Sequence, residues 1–238
     1  MCAVPSLPKP WNAEWTPRAY LGLMGITNRD VRIPANGLDL PGTLSLPKGC
    51  RGFVLFAHGS GSSRHSPRNQ AVARVLQEAS LGTLLFDLLT DDEAQDRSLV
   101  FNISFLAERL LTAARWAAGE GFGPVGYFGA STGAGAALLA AAEPPFPFAV
   151  VSRGGRPDLA MADLPRVKAP TLLLVGSLDT QVIPLNQMAL DALVCEKKLI
   201  FVTGATHLFE EPGCLEVVAE RGRDWFRDHL PEAPDDLQ

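Results

Sequence analysis

From Gly52 onward the sequence alternates short, continuously apolar runs with segments of helical periodicity, and few folds accommodate that pattern. The runs are "FVLFAH", "GTLLFDLL", "GPVGYFG", "FAVVSR", "TLLLVG" and "KLIFVTG". A strand apolar at every position is buried on both faces, and the crossovers that join parallel strands lay helices over those faces. Ser66 stands as a cap with Pro67 at the first helical position, and Ala71, Val72, Val75, Leu76 and Ala79 share one face of the helix that follows. Residues 103–118 keep Ile103, Leu106, Leu110, Ala114 and Ala117 in register, and Gly119 is expected to end that helix. Residues 132–142, 185–193 and 214–230 are the other predicted helices, the last weakest at Gly222. The predicted class is α/β, a mainly parallel central sheet flanked by helices. Upstream, "DVRIP" and "LDLPGTLSLP" flank Asn36-Gly37 and read as an antiparallel hairpin at a sheet edge.

No internal repeat, low-complexity tract or linker divides the 238 residues, so one unit is expected over 1–238, with 1–27 an N-terminal extension of unknown role. Apolar residues at 47% and charged residues at 20% describe an ordinary globular protein, and no apolar run is long enough to suggest a membrane span. The start "MCAVPSLPKPWNAEW" has no apolar stretch after a basic beginning, which argues against a secretory signal and for a cytoplasmic location. Cys2, Cys50, Cys195 and Cys214 are scattered with no CxxC pair, as expected of reduced thiols rather than a zinc site or a disulfide framework. His58, His65, His207 and His229 form no HxxxH pair, so no metal is expected. A net charge of −5 with no basic helix would repel a phosphate backbone, so nucleic acid is not expected as a partner.

The stretch "GYFGASTGAGAALLAAA", residues 126–142, contains both GxSxG, which presents a nucleophilic serine, and GxxxGxG, which cradles dinucleotide phosphates. The dinucleotide turn belongs at the first strand–helix junction of its domain, yet here earlier strand–helix units precede it. Dehydrogenases with GxxxGxG also use a YxxxK pair, whereas Tyr20 and Tyr127 are followed four residues later by Met24 and Ser131. The nucleophile turn needs a strand, a tight turn with small neighbours and a helix, and Gly129, Ser131 and Gly133 stand in that order.

A serine hydroxyl is a poor nucleophile until a base takes its proton, and that base must be held in one tautomer by an acid. In the order Ser, Asp, His, the acid follows a later strand and the histidine the last one. "TLLLVGSLDTQV" offers Asp179 and "LIFVTGATHLFEEPG" offers His207. Seen alone, the first is a turn cap and the second a loop histidine; together with Ser131 they read as acid and base. Asp158 competes for the acid role, while Asp87 precedes the serine and reads as structural. Donors for a developing oxyanion are expected from the backbone N–H of Thr132 and, in "AHGSGSS", of Ser60, with His58 a structural residue.

These residues resemble the α/β-hydrolase superfamily over residues 30–230. More narrowly, "HGSGSSRHSPRN", "GTLLFDLLT", "FGASTGA", "SRGGRPDLA" and "GATHLFEEPG" resemble the dienelactone hydrolase-like proteins, some of which occur joined to phosphoribosyltransferase domains. The resemblance implies an α/β-hydrolase fold and hydrolysis without a cofactor. Dienelactone hydrolases proper carry a cysteine nucleophile; with Ser131 in its place, the resemblance implies an esterase acting on small acyl esters.

Only about eighteen residues separate "FAVVSR" from "TLLLVG", too few for a large cap, so an open site for short or medium acyl groups is expected. "LTDDEAQDRSLVF" reads as a solvated loop, with a partial lid as the alternative. Arg64, Arg68, Arg153 and Arg156 lie on rim loops, where they could bind a substrate carboxylate or phosphate or could form surface ion pairs. The alternatives to an esterase are a lactone hydrolase favouring an anionic substrate, an NAD(P)-binding oxidoreductase and a non-catalytic hydrolase-like scaffold.

Overall fold

The computed structural model describes residues 25–232. The predicted extension therefore falls outside the described residues except for Gly25, Ile26 and Thr27, and Cys2 lies outside them too. Asn36 and Gly37 take φ of 50° and 85° in the turn between β1 (Ile26–Ala35) and β2 (Leu38–Pro47), a geometry whose twist matches that of a hairpin. After it come β3 (Phe53–Ala57), α1 (Pro67–Glu78), β4 (Gly82–Phe86), α2 (Arg97–Val100) and α3 (Ile103–Gly119). Then follow β5 (Val125–Ala130), α4 (Thr132–Ala141), β6 (Val150–Arg153), β7 (Thr171–Gly176), α5 (Ile183–Ala192), β8 (Lys197–Val202) and α6 (Cys214–Asp228).

The strands form one eight-stranded sheet in the order β1-β2-β4-β3-β5-β6-β7-β8. β2 joins β4 antiparallel, and β3 through β8 pair in parallel. The chain steps from β3 outward to β4 and then back across β3 to β5. That reversal opens a crevice beyond the carboxyl ends of β3 and β5, where α/β sheets bind ligands.

Strand alternation splits the core into two layers. Leu55, Phe86 and Tyr127 face Leu106, Leu110 and Ala114 of α3 on one side. Val54, Phe56 and Phe128 face Val72 and Leu76 of α1 and Val218 and Phe226 of α6 on the other. Each large side chain so enclosed contributes about 1.5–3 kcal/mol relative to exposure. No helix among the described residues is long and apolar enough to cross a membrane.

Element ends differ from expectation for local reasons. α3 runs through Gly119; the left-handed residue is Gly121 (φ 77°), and the Phe122 N–H returns to the Ala117 carbonyl at 3.1 Å. α5 begins at Ile183 because Pro184 fits the first turn. α6 passes unbroken through Gly222, which is buried, and ends at Asp228.

The segment 89–101 is largely exposed, as expected of a solvated loop, but it is partly helical. It holds a 3-10 turn, Glu93–Gln95, and α2. Thr90 and Glu93 cap one another, with N–H to carboxylate at 2.9 Å and N–H to hydroxyl at 3.3 Å. Glu93 also pairs with the buried Arg109 of α3 at 2.6 Å. Between β6 and β7 the chain makes only two 3-10 turns, Pro157–Ala160 and Leu164–Arg166, so no large cap covers the crevice.

Candidate active site

Ser131 sits where β5 turns into α4, with φ 51° and ψ −122°, a backbone conformation that side chains other than glycine rarely adopt. The turn survives because its neighbours leave room for nothing else. A Cβ on Gly129 would lie 2.4 Å from the Ala134 Cα, and one on Gly133 would lie 2.2 Å from the Ala57 carbonyl oxygen. The Ser131 N–H donates to the Arg153 carbonyl at 3.2 Å, and the Ser131 carbonyl accepts from Arg156 N–H at 3.1 Å. Backbone from β6 and the loop after it thus holds the serine against the sheet edge.

Asp179 and His207 reach the same point from the loops after β7 and β8. His207 Nδ1 is 2.6 Å from Asp179 Oδ2, and Nε2 is 3.3 Å from Ser131 Oγ. An ionised carboxylate only accepts, so Nδ1–H donates to Asp179 and Nε2 remains as the acceptor for the Ser131 hydroxyl. Asp179 is buried while the His207 side chain is 39% exposed, which leaves the imidazole within reach of water. The row can move a proton from hydroxyl to imidazole and stabilise the imidazolium that results. Asp158 stands apart, bound to Arg156 by two hydrogen bonds of 2.8 and 2.7 Å.

Ser60 and Thr132, the residues expected to supply oxyanion donors, are in contact, but through the Thr132 side chain. Thr132 opens α4, where a first-turn N–H has no intrahelical partner. The Ser60 N–H, however, donates to the Thr132 hydroxyl at 2.8 Å instead of pointing into free space. Behind this loop His58 is buried with both ring nitrogens in use: Nδ1–H donates to the Gly59 carbonyl at 3.0 Å, and Nε2 accepts from Leu88 N–H at 3.1 Å. Burial holds its pKa below the usual histidine value, against the opposing pull of Gly59 and Asp87.

The rim arginines divide. Arg64 is committed to Asp87 through its guanidinium and, at 2.7 Å, its backbone N–H, so of its two expected roles it takes the ion pair and not the anion ligand. Arg156 is held by Asp158, and Arg68 pairs with the exposed Glu210 at 2.7 Å. Arg153 is buried over the Phe128 ring, its Nη1 lacks a hydrogen-bond partner, and it forms no ion pair among the described residues. Burial, and then the charge of Arg68, draw its pKa down to about 10, which leaves it protonated at neutral pH.

Two adjoining clefts share Ser60. One of about 520 Å³ is lined by Ser131, Thr132, His207, Phe101 and Leu178. The other, about 800 Å³, is lined by Arg64, His65, Arg68, Leu89 and Gln95. Arg153 lines neither. Sequence reasoning missed Phe101 and Leu178, which are 49% and 59% exposed beside the serine. The available signal was a large apolar residue on each of two loops at the carboxyl edge of the sheet.

No protein-family model matches the sequence. The crystal structure of a dienelactone hydrolase from Anabaena variabilis is 52% identical, superposes with a TM-score of 0.84, and is covered over 100% of its length by 87% of this chain. The chain belongs to the dienelactone hydrolase-like family of α/β-hydrolases. The family fold extends to Est1E from Butyrivibrio proteoclasticus, at 17% identity and a TM-score of 0.73, covering 85% of this chain and 99% of that one. Two Mycobacterium tuberculosis proteins, provisionally named phosphoribosyl transferases, are 54% identical over 209 residues, which is 86% of this chain and 47% of theirs. The chain thus spans about half the length of those relatives.

Proposed function

We propose that this chain is a serine carboxylesterase for small, short- to medium-chain acyl esters, with Ser131 as nucleophile, His207 as base and Asp179 as its orienting acid. Ser131 Oγ attacks the carbonyl carbon while His207 Nε2 takes its proton. The bond to the leaving alcohol then breaks as His207 returns the proton to that oxygen. Water, activated by the same imidazole, releases the carboxylic acid and restores Ser131. No further reactant is needed. The observation that carries this reading is the unbroken row from Asp179 to His207 to Ser131, at 2.6 and 3.3 Å, ending on a serine in a strained turn.

The uncapped crevice and the apolar flank of Phe101 and Leu178 favour a small apolar acyl or alcohol group over a long lipid chain. The transferase name of the mycobacterial relatives belongs to proteins of which this chain matches 47% of the length, so it is not carried over to this site. The test is hydrolysis of p-nitrophenyl acetate, butyrate and palmitate. Turnover of the first two, with little on the third and a loss of about 10³-fold or more in Ser131→Ala, supports the proposal; equal turnover by Ser131→Ala ends it.

A second reading, a preference for esters or lactones that carry an anionic group, draws support from Arg68, which lines the cleft of about 800 Å³ with the buried Arg153 charge behind it. Their charges lie close enough for Arg68 to lower the Arg153 pKa, and among the described residues only the exposed Glu210 pairs with either, on Arg68.

A further inference from the structure

The loop after β3 delivers its N–H donor to the site already engaged. Ser60 N–H donates to Thr132 Oγ1 at 2.8 Å, so it meets an oxyanion on Ser131 only if that bond is broken or if Thr132 stands between the two. The surroundings resist breaking it. A Cβ on Gly59 would lie 3.1 Å from both the Ala130 carbonyl oxygen and the Ser131 Cβ, so the loop is pressed against the elbow. His58 fixes the loop from behind through the Gly59 carbonyl and Leu88 N–H. Thr132 is itself buried at the first position of α4, and its β-branched side chain has few rotamers to choose from.

A hydroxyl that accepts one hydrogen bond still has one hydrogen to give. Among the described residues the Thr132 hydroxyl hydrogen has no acceptor, and Thr132 lines the same cleft as Ser131 and His207. We infer that the Thr132 hydroxyl is itself an oxyanion donor. It gives its hydrogen to the oxygen of the tetrahedral intermediate while the Ser60 N–H polarises it from behind, and the Thr132 backbone N–H supplies the second donor. The proton stays on Thr132 throughout; only hydrogen bonds strengthen as charge develops. A donor that is itself a hydrogen-bond acceptor is strengthened by that bond, and in a preorganised site the gain falls on the transition state. This inference rests on the reading of Ser131 as acyl-transfer nucleophile.

The two possible uses of Ser60 predict opposite results for Thr132→Val, which keeps the branched shape, deletes the hydroxyl and frees the Ser60 N–H. If the hydroxyl is the donor, kcat on p-nitrophenyl acetate falls by about 10²-fold or more with KM changed by less than about threefold, and Thr132→Ser recovers most of the loss. A Thr132→Val enzyme that turns over as fast as wild type or faster overturns the inference, since the freed N–H then suffices. Melting temperatures establish that both variants are folded; if Thr132→Val is not, Thr132→Ala is read in the same way. Labelling of wild type by a fluorophosphonate probe separates the two levels. Without Ser131 labelling, both the esterase reading and the inference fail; with labelling and an unimpaired Thr132→Val, the inference alone fails.

Discussion

Asp179 Oδ2 lies 2.6 Å from His207 Nδ1 while Asp158, the rival acid on the same rim, is bound to Arg156. An asparagine at 179 keeps the shape but not the charge that stabilises an imidazolium. Asp179→Asn is therefore expected to lower kcat by about 10³–10⁴-fold with little change in melting temperature. Asp158→Asn loses a partly exposed pair worth about 0–1 kcal/mol and is expected to keep wild-type turnover. Steady-state kinetics on a chromogenic acetate ester decide between the two carboxylates.

His58 should leave a signature in the pH dependence of stability. Its folded pKa lies below the 6.5 of a free histidine because burial penalises the charged form. Between those two values the unfolded chain binds a proton that the folded one does not, so stability is full above pH 6.5 and is lost as the pH falls toward the folded pKa. The slope from this residue is at most about 1.4 kcal/mol per pH unit. Urea midpoints from pH 8 to 5 should show a shallower fall in His58→Gln than in wild type, and parallel curves would remove the assignment.

Two glycine-to-alanine changes should act in opposite directions. Gly222 lies inside α6, where an added Cβ meets the Phe128 and Val151 side chains at an ordinary 3.7 and 3.8 Å. Gly222→Ala is expected to stabilise by about 0.5–1 kcal/mol through helix propensity and a less flexible unfolded chain. Gly133→Ala drives a Cβ to 2.2 Å from the Ala57 carbonyl oxygen and should abolish the proposed ester hydrolysis or soluble expression. Thermal melts read the first change, activity the second.

The anionic alternative is open to a matched pair of substrates. If Arg68 and Arg153 attract an anion, a monocarboxylated ester should exceed its neutral counterpart in kcat/KM by about tenfold in wild type. Arg68→Gln should remove most of that ratio while leaving the neutral ester alone. An unchanged ratio in the variant assigns the arginines to structure.

Legibility followed how local the cause was. The inner parallel strands were readable from their apolar runs, whereas β8, with Lys197 and Lys198 at its start, is an edge strand exposed over much of its length; the hairpin was readable because Asn36-Gly37 supplies two positive φ angles where the turn needs them. The convergence of Ser131, Asp179 and His207 was readable because each follows a strand, and strand ends share one edge of a parallel sheet. The fate of the arginines was not, since Arg64 meets an aspartate 23 residues away and Arg68 a glutamate 142 residues away. The solvated character of 89–101 was legible, but its two helical turns were not, although the reciprocal Thr90–Glu93 cap is a local signal; its anchor, Arg109, lies on the following helix. The engagement of Ser60 by Thr132, 72 residues apart, depends on side-chain packing that no sequence pattern encodes.

The central claim is that His207 makes Ser131 a nucleophile, and a fluorophosphonate reports this without knowledge of the natural substrate. Intact-mass and peptide analysis of the treated protein should find one adduct, on Ser131, formed rapidly in wild type, absent in Ser131→Ala, and slower by about 10³-fold or more in His207→Ala. Labelling of Ser131 at the same rate without His207, or a stable adduct on another residue in place of Ser131, would contradict it.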